Sequence, residues 1–285
     1  MNGKLYLCPT PIGNLGDITM RTLETLRTVD LIAAEDTRVS MKILNHFEIT
    51  KPITSYYEHN KRDKGPYLIE KLKSGLSVAI ITDAGMPGIS DPGEDLVKLC
   101  IENDIAVESL PGACAFATAL VASGLPTSRF TFEGFLSMNK KTRFLHLNSV
   151  KNDTRTLIFY EAPHKVLTTL KDMYEIFGER KIVLAREITK KFEEYIRTTF
   201  TQAIEKYQQE APRGEFVIMI DGVSLDDLEI AHRAELPTAE ELLLKYMKTG
   251  EKGKDIVKKV ALEAELPKNE VYSLYLTLKD NAPIE

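Results

Sequence analysis

The sequence predicts an α/β protein, with two α/β domains followed by a small helical domain. Three patterns carry that reading. Residues 1–125 alternate short apolar runs with amphipathic segments, the rhythm of a mainly parallel sheet with helices on its faces. Residues 126–224 keep both kinds of run, but two of their strands lie close enough in sequence to pair as an antiparallel hairpin. Residues 225–285 turn acidic and then carry helical periodicity alone. A chain of 285 residues suits this division at roughly 150 residues per domain.

In order, strands are predicted at Lys4–Cys8, Asp30–Ala34, Ile53–Tyr56, Val78–Thr82 and Ala106–Leu110. Helices lie between them: one after Asp17, a candidate cap with Leu23 and Leu26 on one face, then Val39–Phe47, Lys64–Lys73 and Glu94–Glu102. The second domain reads as strands at Phe130–Glu133, Thr156–Tyr160, Ile182–Arg186, Tyr195–Phe200 and Phe216–Asp221. Its helices are Lys141–Val150, His164–Phe177 and Thr201–Gln209. In the last segment Thr238 and Glu241 form a capping-box pattern, Gly250 is a stop, and two further helices flank Pro267. Three short helices with tight turns suggest a helix-turn-helix relative.

Composition excludes several classes. Lys plus Arg number 37 against 42 Asp plus Glu, a net charge of −5, which argues against a globally basic nucleic-acid coat. Apolar residues at 43% and charged residues at 28% fit a soluble globular chain. Three cysteines in no paired pattern suit a reducing compartment. Scattered histidines give no metal-ligand spacing, and no apolar run is long enough for a signal peptide or a membrane span. A cytoplasmic location follows as the expectation.

Ligands of open α/β sheets bind beyond the carboxyl ends of the strands. Four unusual loops fall there: PTPIGNLGD (Pro9–Asp17), AEDTR (Ala34–Arg38), TDAGMPGISDPG (Thr82–Gly93) and LPGACA (Leu110–Ala115). Glycine allows close backbone approach and proline holds a loop in one shape, so together they suit a cofactor cradle. Neither GxGxxG nor GxxxxGKS occurs, which disfavours the dinucleotide and P-loop fingerprints. Two local segments oppose the net charge. Lys140, Lys141, Arg143, Lys151 and Arg155 face Asp153 alone, and six lysines between Lys245 and Lys259 face Glu251 and Asp255. Together they suggest a polyanion footprint, with Lys140, Lys141, Arg143, Lys252, Lys254 and Lys258 as candidate RNA contacts.

In these loops the sequence resembles the bacterial ribosomal RNA small subunit methyltransferase I family, a branch of the tetrapyrrole methylase-like enzymes. The motifs PTPIGNLGDIT, AEDTR, TDAGMPGISDPG, PGACA, GFLSMNKKTR, IFYEAPHK, REITKKFEE and RGEFVIMI stand in the family's order and spacing over residues 3–222. The resemblance implies a tetrapyrrole methylase-like fold with two α/β domains around a cofactor cleft, S-adenosylmethionine as cofactor, a homodimer, and 2'-O-methylation of a cytidine in the decoding region of 16S rRNA. It places Pro11, Ile12, Gly13, Asp83, Ala84, Gly85, Met86, Ile89, Ser90 and Asp91 in the cofactor loops. Ala113, Cys114, Tyr160, Gly214, Glu215 and Phe216 complete the cofactor set. The family usually has Pro-Ser where this chain has Ala113-Cys114, a small-for-small change.

Methyl transfer from a sulfonium is an in-line displacement helped mostly by positioning. A ribose hydroxyl also needs a base or a nearby cation. Glu35 or Asp36 is the candidate base or orienter, and Arg38 or Lys190 the electrostatic partner. Two other readings compete: the same fold acting on a tetrapyrrole or other small molecule, and a non-catalytic RNA-binding or assembly factor. Basic patches count against the first, and crowded cofactor loops against the second.

Overall fold

The structure, a computed structural model, describes residues 2–249 and 251–280. Its chain divides into two units, residues 1–222 and 223–285. Both predicted α/β regions lie within the first unit.

In the first sheet β1 (Lys4–Leu7), β2 (Leu31–Ala34), β3 (Ile53–Ser55), β4 (Val78–Ile81) and β5 (Ala106–Ser109) take the order β3-β2-β4-β1-β5, all parallel. The LIAA of β2 and VAII of β4 are buried throughout, as continuous apolar runs covered on both faces should be. One face packs against α3 (Lys61–Lys73) and α4 (Gly93–Glu102) through Leu68, Leu72 and Leu96. The other packs against α1 (Met20–Thr28) and α2 (Thr37–His46) through Leu23, Leu26 and Leu44. Two expectations shift. Thr19, not Asp17, caps α1 by accepting from the Thr22 N–H, because Asp17 is taken up in a preceding 3-10 turn. Helix α3 begins at Lys61, three residues before the predicted start.

Helix α5 (Ala115–Ser123) leaves the first sheet and lies on the second. Its sequence, AFATALVAS, is apolar nearly all round. Ala119 and Leu120 are buried against Ile158, Val183, Ala185, Val217 and Met219.

The second sheet holds β6 (Phe130–Phe135), β7 (Thr156–Glu161), β8 (Lys181–Arg186), β9 (Glu194–Thr199) and β10 (Phe216–Ile220) in the order β6-β7-β10-β8-β9. It is mixed, as expected: β6 and β7 are parallel, and the other pairs, including the β8–β9 hairpin, are antiparallel. Its far face is covered by α6 (Lys140–Val150), α7 (Val166–Phe177) and α8 (Phe200–Gln209). The register sets Phe216 opposite both Glu161 and Arg186. Hence the ends of β7 and β8 and the start of β10 share one edge.

The second unit contains α9 (Leu225–Glu235), α10 (Ala239–Met247), α11 (Gly253–Glu263) and α12 (Lys268–Asp280). Leu243, Ile256, Val260 and Val271 form its core. The capping box of Thr238 and Glu241 is present on α10; the predicted stop at Gly250 lies outside the described residues. Helix α9 was not predicted. Ser224 accepts from the Asp227 N–H, and Asp226 and Asp227 sit in its first turn, so the acidic run that precedes the predicted helices is itself a helix start.

The Tyr160 hydroxyl accepts the Phe116 N–H at 3.0 Å, satisfying an amide that the first turn of α5 cannot pair internally. Tyr160→Phe is expected to lower unfolding free energy by about 1–2 kcal/mol, measured by urea denaturation. Unchanged stability would show that this contact does not hold α5 in place.

Candidate functional site

Between the two sheets lies a cavity of about 380 Å³. The first sheet closes one side with loops at the carboxyl ends of β2 and β4, the Pro9–Asp17 loop after β1 and the start of α5. The Pro9–Asp17 and Thr82–Gly93 loops are tied together: Thr10 N–H donates to the Gly85 carbonyl at 3.0 Å and Gly85 N–H donates to the Thr10 carbonyl at 3.1 Å. Gly85 has φ +87° with room for a Cβ only at 3.1 Å from Ile12 Cγ2, a conformation and a fit that favour glycine. Asp91 holds the rest of that loop, its carboxylate accepting from the N–H groups of Gly88, Ile89 and Gly93 at 2.8–3.1 Å. Ser90 adopts φ 65° beside it, strain of the kind that such networks sustain at functional sites.

The second sheet supplies the opposite wall through Tyr160, Glu161 and Ala162 from β7, Glu187, Ile188 and Lys190 after β8, and Glu215 to Val217 at β10. Glu161 is 3% exposed and fully engaged, accepting from Thr169 Oγ1 at 2.6 Å and Ala162 N–H at 2.9 Å. Lys190 donates to Glu187 at 2.9 Å and lies 3.6 Å from Glu215. Its aliphatic stem covers Gly13, where no side chain would fit. Burial alone would lower the Lys190 ammonium, but Glu187 and Glu215 outweigh it and hold its pKa above the ordinary value.

The four candidate catalytic residues separate into two pairs. Glu35 and Lys190 line the cavity. Burial, then the neighbouring charge of Asp83, raises the Glu35 pKa, and burial raises that of Asp83. Asp36 and Arg38 face elsewhere. Asp36 caps α2 through the Arg38 N–H at 2.8 Å and binds the Arg38 guanidinium at 2.7 Å, which holds its carboxyl down to about 2. Arg38 leaves 87% of its side chain exposed.

Of the candidate cofactor residues, Ile12, Asp83, Ala84, Gly85, Met86, Ile89, Ser90 and Asp91 line the first wall. Cys114 sits at the start of α5, with Tyr160, Glu215 and Phe216 on the second wall. Pro11, Gly13, Ala113 and Gly214 are not part of this lining; Gly13 lies under Lys190 and Gly214 against Glu187. Sequence reasoning left out Thr82, Ala115, Phe135, Glu161, Ala162, Glu187, Ile188 and Val217. Glu161 and Glu187 reach the site through the sheet register, which sets Phe216 opposite both Glu161 and Arg186.

The model of the family described as Tetrapyrrole (Corrin/Porphyrin) Methylases matches residues 4–204. The chain is 45% identical over 274 residues to Ribosomal RNA small subunit methyltransferase I of Bacillus subtilis (strain 168), covering 96% of this chain and 94% of the relative. This chain belongs to the ribosomal RNA small subunit methyltransferase I family. A Synechocystis member of that family is also 45% identical, over 97% of this chain and 99% of its own. Among solved structures a diphthine synthase superposes with TM-score 0.62 at 14% identity, over 77% of this chain and 90% of its own. That likeness concerns the fold alone.

In a ribosomal RNA methyltransferase family the surface cations matter. Lys140 and Lys141 are exposed at the start of α6, whereas Arg143 is turned inward. Its guanidinium binds Asp172 at 2.6 Å, with the two side chains 12% and 10% exposed, and donates to the Ser137 and Met138 carbonyls. Arg143 thus binds the preceding loop to α7 rather than presenting its charge to a polyanion. Lys252, Lys254 and Lys258 are exposed in the helical unit.

Arg143→Ala leaves Asp172 buried without its partner and is expected to cost roughly 3 kcal/mol. Lys140→Ala and Lys141→Ala should each stay within about 0.5 kcal/mol. Urea denaturation of the three variants checks this; a neutral Arg143→Ala would contradict the assignment.

Proposed function

We propose that this chain transfers a methyl group from S-adenosylmethionine to the 2'-hydroxyl of a cytidine in the decoding region of 16S rRNA. The observation that carries the reading is 45% identity over nearly the full length to relatives named for small-subunit ribosomal RNA methylation. The cavity suits the cofactor. A volume of about 380 Å³ falls in the range of small-molecule sites. Its lining carries Glu35, Asp83, Asp91, Glu161, Glu187 and Glu215 against Lys190, a charge that favours a cationic ligand. Asp83 to Met86, Ile89 and Cys114 would hold it on one side, and Tyr160 and Phe216 on the other.

When bound, S-adenosylmethionine supplies an electrophilic methyl on a positively charged sulfur. The chain must position the ribose oxygen and remove its proton. Glu35 is the base: its raised pKa makes it a better proton acceptor than an ordinary carboxylate. Asp36, held at about 2, is too weak a base for the task and serves as an orienter through its backbone N–H, which donates to Asp83 Oδ1 at 3.1 Å. The Lys190 ammonium offsets the negative charge that develops on the oxygen. Acidic walls repel phosphate, so the RNA backbone stays outside the cavity, on surface cations such as the exposed Lys140 and Lys141. The enzyme acts in the cytoplasm as a homodimer, so light scattering should give twice the 32.1 kDa of one chain; the mass of a single chain would contradict that part.

Incubation with methyl-labelled S-adenosylmethionine and small ribosomal subunits lacking this methyl should label one cytidine 2'-oxygen. Transfer to a tetrapyrrole with none to the subunit would overturn the reading. The rate should rise with pH through a midpoint above the ordinary 4.5 of a glutamate. Glu35→Gln should lower kcat by about 100-fold or more and flatten that limb. The same variant tests the electrostatics without catalysis. A folded-state pKa raised above the unfolded value contributes stability at low pH that is lost as pH rises through it. Glu35→Gln should therefore melt higher than the unaltered chain at pH 7, an advantage that vanishes as pH falls below the ordinary 4.5 of a glutamate.

A further inference from the structure

The helical unit carries a groove along α11 and α12 that encloses about 850 Å³. Lys254, Lys258, Lys268 and Lys279 line it against one acid, Asp255. All four lysines are exposed, and among the described residues none is ion-paired. Their neighbour Lys259 shows the contrast, held by Glu251 at 2.7 Å. Four unpaired ammonium groups against one carboxylate around one concavity attract a polyanion, in a chain whose overall charge is negative.

The groove also has an aromatic component. Tyr272 is 51% exposed within it, and Tyr275 packs over Gly253, where a side chain would collide with the ring. Cations on a path with an open ring suit single-stranded nucleic acid, whose backbone follows the charges while an unstacked base lies on the ring. A duplex offers phosphates but no free base face. An acidic peptide would satisfy the lysines and leave Tyr272 without a role.

We propose that this groove binds a single-stranded stretch of the RNA substrate, with phosphates on the lysines and a base stacked on Tyr272. The identity of that RNA rests on the proposed function; the binding chemistry does not. Of these residues, Lys268, Lys279 and Tyr272 are not among the RNA contacts suggested by the sequence.

The test uses the full chain and a labelled single-stranded fragment of 16S rRNA, with fluorescence anisotropy read across a salt series. The double variant Lys258→Gln/Lys268→Gln should reduce the slope of log affinity against log salt by roughly 1 to 1.5, at about 0.7 per phosphate contact. Tyr272→Ala should weaken binding about 5- to 100-fold at every salt concentration with the slope unchanged, and Tyr272→Phe should bind like the unaltered chain. Variants that bind as the unaltered chain does would overturn the proposal, as would equally tight competition by an acidic peptide. Methyl transfer to the small subunit, measured in parallel, separates the two claims. Transfer with unaffected groove variants sinks the groove alone; weakened variants without any transfer sink the reaction alone.

Discussion

The first unit depends on the packing of α5. This helix follows the last strand of the parallel sheet, yet its apolar surface is buried on the mixed sheet. That single docking turns the carboxyl-end loops of one sheet toward the edge of the other. Phe116 strengthens it twice, by stacking on Phe132 at 4.6 Å between centroids and by donating its N–H to Tyr160. The cavity is lined by residues of both sheets and by Cys114 and Ala115 at the start of this helix.

Charge divides the labour on the molecule. The cavity is acidic, and each carboxylate on which its shape depends is held by specific donors: Asp91 by three amides, Glu161 by Thr169 and Ala162, Glu187 by Lys190. Glu35 differs, because burial and the nearby Asp83 raise its pKa. It is therefore costly to ionise and suited to accept a proton. Among the described residues Lys190 is the one cation in this lining, paired with Glu187; exposed lysines lie outside it, at the start of α6 and on α11 and α12. The net charge of −5 averages over both and describes neither.

Much of this was legible in the sequence, and the failures have physical causes. Strands, the hairpin and the capping box of α10 are local patterns, and they stand as read. No helix was read over α9, because an acidic run fits a solvated coil and a helix N-terminus equally well. Arg143 misled for a related reason: a segment's charge counts residues but does not show that one guanidinium reaches Asp172 on α7. Asp36 and Glu35 are adjacent in sequence and opposite in chemistry, one capping a helix and the other facing the cavity. Glu161 and Glu187 required the sheet register, which no single segment contains.

A cavity walled by both sheets requires one ligand to touch both at once. Hydrogen–deuterium exchange of the full chain with and without S-adenosylmethionine tests it directly. The amides of residues 83–90 and 114–116 should slow together with those of residues 187–190 and 215–217. Protection confined to the loops of the first sheet, with the second-sheet edge unchanged, would contradict it.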